Sequence, residues 1–176
     1  SVFADLFHHE KKMTELLGAE AVPMLAKLRD ALPHFVAQHA NRLQARSQAG
    51  LWVDGHGDLH ARNIFLTEPP IIFDCIEFDP HLRRLDVLNE LAFLCMDFDH
   101  FGRPDLADAF LQFYQEEHTC IAVPADESLF FFFKAYRANV RLKVTLLGST
   151  ASTTARETVK AYWQLMTGYW EQLFAK

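Results

Sequence analysis

Apolar and polar positions divide the chain into three zones. In the first, up to about Gly50, the pattern is helical: Leu25, Leu28 and Leu32 stand at i, i+3 and i+7, and Val36, His39 and Leu43 repeat that spacing after Pro33. Proline lacks an amide donor and its ring clashes with the preceding turn, so a break or kink is expected at Pro33. Gly50 is expected to stop the segment, because glycine tolerates the left-handed conformation found after helix ends. From Leu51 to about Pro80 the helical period disappears. Three short apolar runs replace it: Leu51-Trp52-Val53, Ile64-Phe65-Leu66 and Ile71-Ile72-Phe73. The last two flank Thr67-Glu68-Pro69-Pro70 and predict a β-hairpin around a proline-rich turn.

Helical spacing returns from Leu85 to Lys176. Leu88, Leu91 and Cys95 share one face, and Asp105 is placed to cap a helix carrying Leu106, Phe110, Phe113 and Tyr114. Tyr136, Val140, Val144 and Leu147 form the next stripe, and Val159, Tyr162, Met166, Tyr169 and Leu173 the last. These stripes are read as core-facing. The sum predicts a mainly α fold with a small β-hairpin insert (α+β): one domain over residues 1–176, helical to residue 50, loop and hairpin over 51–80, and helical again over 81–176.

Composition narrows the class. Half of the 176 residues are hydrophobic and 23% are charged, enough apolar surface to offset ordering entropy and exclude a disordered chain. Sixteen phenylalanines point to aromatic packing in that core. The formal charge of −6 does not suit a nucleic-acid partner. No apolar run is long enough for a membrane span. Cys75, Cys95 and Cys120 contain no C-x-x-C pair, which argues for a reducing compartment, and a cytoplasmic location is expected. Ser1–Asp5 shows neither the basic nor the apolar region of a secretory signal and has no initiator Met, so the chain is expected to be a fragment or a processed product.

The chemistry lies in the middle zone. His56-Gly57-Asp58-Leu59-His60-Ala61-Arg62-Asn63 precedes the hairpin, and Ile72-Phe73-Asp74 closes it. Phosphoryl transfer needs a carboxylate to orient the attacking hydroxyl and accept its proton. It also needs oxygen ligands that hold Mg²⁺ against the phosphates. An Asp and an Asn five residues apart supply one of each from a tight loop. Asp74, at the end of the returning strand, would bring a second metal ligand to the same end of the hairpin as Asn63.

This order fits the pattern H-x-D-x-x-x-x-N followed by a metal-binding Asp. The chain resembles the aminoglycoside phosphotransferase and choline kinase-like branch of the protein-kinase-like superfamily, with H-G-D in the loop and no Phe-Gly after the metal Asp. Its flanks look like those of a bacterial subgroup of aminoglycoside phosphotransferase-like proteins. The specific part of the resemblance runs from about Gly50 to Leu147. It implies the helical C-terminal lobe of a protein-kinase-like fold, with ATP and Mg²⁺ as cofactors and a small-molecule hydroxyl as acceptor. Asp58 resembles the catalytic Asp, and Asn63 and Asp74 resemble the metal and cofactor ligands. His56 resembles the histidine that braces the loop, His60 a donor near the γ-phosphate, and Asp86 a carboxylate that steadies the loop from the following helix. None of the seven glycines forms G-x-G-x-x-G, and the first fifty residues read as helix. The nucleotide-binding N-terminal lobe is therefore expected to be missing from this chain, leaving it inactive alone. The apolar face thereby uncovered would favour a homodimer.

Two other readings compete. His56, Asp58 and His60 also spell H-x-D-x-H, with Asp97, Asp99 and His100 downstream, as in a metal-dependent phosphohydrolase. Against this, Asp97, Asp99 and His100 are expected to form a solvated helix end. A non-catalytic interaction module is the third class. Arg83-Arg84, Arg137, Arg141 and Lys143 are read as solvated helix faces, and the cysteines as buried small hydrophobes.

Overall fold

A computed structural model describes residues 7–148 and 152–175. The segment Ser1–Asp5 discussed above lies outside the described residues. The fold is mainly helical with a small β component, as the sequence predicts. The chain divides into two compact units, Ser1–Ala40 with Ala135–Lys176, and Asn41–Lys134.

The first unit contains α1 (Glu10–Leu17), most of α2 (Ala21–Gln48), the second half of α6 (Pro124–Leu147) and α7 (Thr153–Phe174). Leu25, Leu28 and His39 are buried, as are Val159, Tyr162, Met166 and Tyr169, so these positions face inward as expected, whereas Val36 is exposed. The ring of Phe35 stacks on His39 at 4.1 Å and meets Trp170 edge-on at 5.8 Å. Ser152 caps α7 by accepting the Ala155 amide at 3.1 Å. Three expectations need correction. Helix α2 runs through Pro33 without a break, with Pro33 and His34 on its exposed side. In α6, Val144 and Leu147 are exposed, and the buried face is Ala135, Ala138, Leu142 and Leu146. Two alanines carry half of that face, so a search for large apolar residues selects the neighbouring stripe. Arg137 is buried on the same helix and is no solvated face, while Arg141 Nε reaches Tyr162 Oη at 3.3 Å.

The second unit carries both strand pairs. β1 (Trp52–Asp54) pairs antiparallel with β4 (Arg84–Asp86), and β2 (Ile64–Phe65) with β3 (Ile71–Ile72). The second pair is the predicted hairpin. The first corrects the reading that placed Leu85 in a helix: a short helix α3 (Pro80–Arg83) ends at β4, and α4 starts at Val87 and runs to His100. Asp86 caps α4 by accepting the Leu88 amide at 2.8 Å. Helix α4 is buried over Leu91–Asp97 without a break, apolar on nearly all sides as a helix within a core must be. Each large side chain it buries contributes about 1.5–3 kcal/mol. Helix α5 (Pro104–Glu117) begins with Pro104 at its first turn, and Asp105 pairs with Arg103 at 2.8 Å instead of capping. Phe113 on α5 is 72% exposed, against its assignment to the core.

Candidate active site

The site is built where β1 gives way to a loop. The Gly55 amide donates to Arg83 O at 2.9 Å, extending the β1–β4 ladder by one bond. At Gly57 the backbone turns left-handed, with φ 81°. A Cβ there would lie 3.1 Å from Leu82 O and 3.2 Å from Arg83 Cα, so a glycine is needed both for the turn and for the close passage. Asp58 follows immediately.

His56 ties this loop to the hairpin. Its Nε2 lies 2.7 Å from Phe73 O, and its Nδ1 lies 3.3 Å from the Asp58 amide. The amide is a donor and the carbonyl an acceptor, so one tautomer satisfies both: Nε2 carries the hydrogen and Nδ1 accepts. A single ring thus links the backbone of Asp58 to the residue preceding Asp74. The Ile76 amide returns to His56 O at 3.1 Å and closes the connection from the far side.

Asn63 ends a 3₁₀ turn, Ala61–Asn63, and its Nδ2 donates to Asp58 O at 3.0 Å, with Asp58 Oδ2 at 3.5 Å. Asn63 Oδ1 has no protein donor among the described residues. The Phe73 amide donates to Asn63 O at 3.0 Å, and the rings of Phe65 and Phe73 stack at 4.4 Å, which fixes the hairpin register. Asp74 comes one residue later with φ 62°, a conformation that Asp tolerates better than most residues. Its side chain and that of Asp58 line an open cavity of about 490 Å³ together with Cys75, Ile76, Glu77 and Phe78. The structure therefore brings together His56, Asp58, Asn63 and Asp74. His60 joins them: it is buried, its Nε2 is 3.4 Å from Asp58 Oδ2, and its ring meets Phe93 edge-on at 5.5 Å.

Asp86 lies elsewhere. Its two oxygens bind Arg46 Nε at 2.7 Å and Nη2 at 2.8 Å, and one of them also caps α4. The carboxylate that reaches the loop from α4 is Glu90, one turn further on. Glu90 Oε1 accepts the His56 amide at 3.0 Å and Oε2 the Gly57 amide at 3.1 Å. Two turns beyond Glu90, Asp97 Oδ2 accepts the Ala61 amide at 2.9 Å. Sequence reasoning missed Glu90 and placed Asp97 in solvent. Asp97 is instead 2% exposed, and Asp99 pairs with Lys134 at 2.5 Å, so the expected solvated helix end is corrected. The missed signal was a single carboxylate set inside an apolar helical run, at Glu90 and again at Asp97. Of the cysteines, Cys95 and Cys120 are buried as expected, while Cys75 lines the cavity.

The H-x-D-x-H metal reading does not survive this geometry. Both ring nitrogens of His56 are already engaged, and among the described residues no three His, Cys, Asp or Glu side chains cluster to hold a metal. Asn63 and Asp74 present oxygen donors of the kind that suits Mg²⁺, a hard cation which keeps waters and phosphate oxygens in its remaining positions and needs no protein cage.

With this loop and hairpin in view, the chain belongs to the phosphotransferase enzyme family, whose model matches residues 4–124. It is 39% identical over 142 residues to the uncharacterized proteins Rv2004c and MT2060 of Mycobacterium tuberculosis and Mb2027c of Mycobacterium bovis, with 80% of this chain and 27% of each relative matched. The chain spans about a quarter of the length of these curated relatives. No solved structure matches it. No helix among the described residues is long and apolar enough to cross a membrane.

Proposed function

We propose that this chain is the acceptor- and metal-binding lobe of an ATP-dependent kinase that phosphorylates a hydroxyl group of a small molecule. The observation that supports this best is the closed set of bonds Asp58–Asn63–Phe73–His56, which ties Asn63 and the Asp58 loop to the strand end where Asp74 joins Asp58 on one cavity. Asp58 orients the acceptor hydroxyl and takes its proton as the oxygen bonds to the γ-phosphorus and ADP departs. Asn63 Oδ1 and the Asp74 carboxylate would hold Mg²⁺, which would neutralise phosphate charge and favour in-line attack. His60, beside Asp58 and largely out of solvent, donates toward the transferred phosphoryl group. The described residues hold two two-stranded sheets, and the sequence has no glycine-rich phosphate loop, so the nucleotide-covering lobe is assigned to residues outside this chain.

The test uses a full-length protein containing this chain, screened with hydroxyl-bearing amines, sugars and nucleosides for acceptor-dependent ADP release. Asp58→Asn should lower turnover at least about a thousandfold while nucleotide affinity stays within about threefold. Unchanged turnover removes Asp58 from the mechanism. The isolated chain should bind Mg²⁺-ATP far more weakly than micromolar, and near-micromolar binding would contradict the division of labour between lobes.

A further inference from the structure

We infer that Asp97 is a positioning residue that sets the reach between Asn63 and Asp58, an inference that rests on the metal-binding role proposed for Asn63. The turn Ala61–Asn63 begins with an amide that no intrahelical bond can satisfy. A capping side chain at the preceding residue reaches the second or third amide and not this one, and His60 makes no capping bond in any case. The Ala61 amide instead donates to Asp97 Oδ2 at 2.9 Å, across 36 residues of sequence. Asp97 is 2% exposed, and among the described residues no Lys, Arg or His forms an ion pair with it. A carboxylate buried without a counter-ion is costly. Here it reaches from α4 to the start of the turn that carries Asn63.

The arrangement has two pins. Glu90 holds the loop where it enters, at the His56 and Gly57 amides, and Asp97 holds it at Ala61, where the turn begins. The two carboxylates are seven residues apart, two helical turns on one face of a buried helix. Asp58 lies between the pins, and Asn63 lies two residues past the second. Losing the second pin loosens the start of the turn and leaves Asn63 held only through Asp58 O, His60 O and the Phe73 amide, while the Glu90 bonds that place Asp58 remain.

The experiment measures Mn²⁺ affinity of the chain by proton relaxation and amide hydrogen exchange at Ala61, His56 and Gly57. Asp97→Leu should weaken Mn²⁺ binding about tenfold, the usual effect of removing a partner that orients a metal ligand. It should speed exchange at Ala61 about tenfold while His56 and Gly57 stay protected. Asp97→Asn, which keeps an acceptor oxygen, should stay within about twofold of the parent in both. Ala61→Pro deletes the donor and leaves Asp97 in place, and it suits the local backbone, since His60 is already extended at φ −134°, ψ 165°. In that background Asp97→Leu should no longer change Mn²⁺ affinity. An equal loss there would show that Asp97 acts elsewhere and overturn the inference, and so would Mn²⁺ binding unchanged by Asp97→Leu. Asn63→Ala and Asp74→Ala serve as controls for the reading beneath: if neither weakens Mn²⁺, the metal site itself fails. If both weaken it and Asp97→Leu does not, Asp97 alone fails. Should Asp97→Leu not fold, Asp97→Asn compared with Ala61→Pro carries the test at amides that both variants keep: exchange about tenfold faster at Arg62 and Asn63 in Ala61→Pro than in Asp97→Asn supports the pin, and its absence refutes it.

Discussion

Arg46 and Asp86 meet edge to edge, 40 residues apart in sequence, through Nε–Oδ2 at 2.7 Å and Nη2–Oδ1 at 2.8 Å, with neither side chain more than 1% exposed. The same guanidinium binds Asp126 Oδ1 at 2.9 Å and Cys120 O at 2.6 Å, and Arg42 holds both oxygens of Asp126, through Nε at 2.7 Å and Nη2 at 2.6 Å. Asp86 stands at the junction of β4 and α4, so this cluster anchors the start of the helix that carries Glu90 and Asp97. Asp86→Ala leaves a buried guanidinium partly uncompensated and should cost about 3–5 kcal/mol in urea unfolding. A loss under about 1 kcal/mol would show that the pair does not anchor the helix.

Asp126 makes the cluster sensitive to acid. Burial alone would raise its pKa, but hydrogen bonds from Arg42, the Ala122 amide and Arg46 outweigh it and hold the carboxyl down to about 2. A carboxyl depressed in the folded state stabilises fully above its unfolded pKa, and the stabilisation is lost as pH falls through the folded value. The contribution is about 2 kcal/mol, present above about pH 4 and lost toward about pH 2. Asp126→Asn should remove that part of the acid limb in denaturation followed by circular dichroism. An acid limb identical to the parent's in that window would count against the pairing.

Gly57→Ala should be poorly tolerated. A left-handed backbone costs a non-glycine residue about 1–2 kcal/mol, and the added methyl would meet backbone atoms at 3.1 and 3.2 Å. We expect at least about 2 kcal/mol of lost stability by thermal unfolding, whereas Gly50→Ala, with nothing within 4 Å of the added Cβ, should cost only the conformational part.

Glu90→Ala orphans two loop amides and should cost about 1–3 kcal/mol, with faster hydrogen exchange at His56 and Gly57. Glu90→Gln keeps one acceptor and should cost less. Equal effects from the two substitutions would mean that the carboxylate's bonds to the loop are not what matters.

The thiols should separate by reactivity. Burial pushes Cys95 up to about 12 and raises Cys120 as well, while Cys75 lies half-buried on the cavity. The thiolate is the reactive form, so a chromogenic disulfide at pH 8 should titrate one thiol rapidly and the other two only after unfolding. Two rapid equivalents in the native protein would contradict the burial of Cys95 or Cys120.

The sequence by itself determined the parts whose signal is local. Helical spacing of Leu25 and Leu28 or of Val159 to Tyr169 follows from one face packing inward, and the hairpin follows from two β-rich runs around Thr67–Pro70. The order Asp58, Asn63, Asp74 was legible because a loop and its neighbouring hairpin keep close residues close. What only the tertiary structure decided involves partners far apart in the chain. β1 finds β4 across thirty residues, and that pairing turns Leu85 from an expected helical residue into a strand residue. Glu90 and Asp97 are charges in an apolar helix, and nothing local says whether such a charge faces water or a backbone amide. Asp86 has a loop, a helix end and an arginine within reach of its neighbourhood, and packing gave it to Arg46. Hydrogen bonds from one buried carboxylate to a distant amide depend on where two elements come to rest, and a linear pattern records only that each element forms.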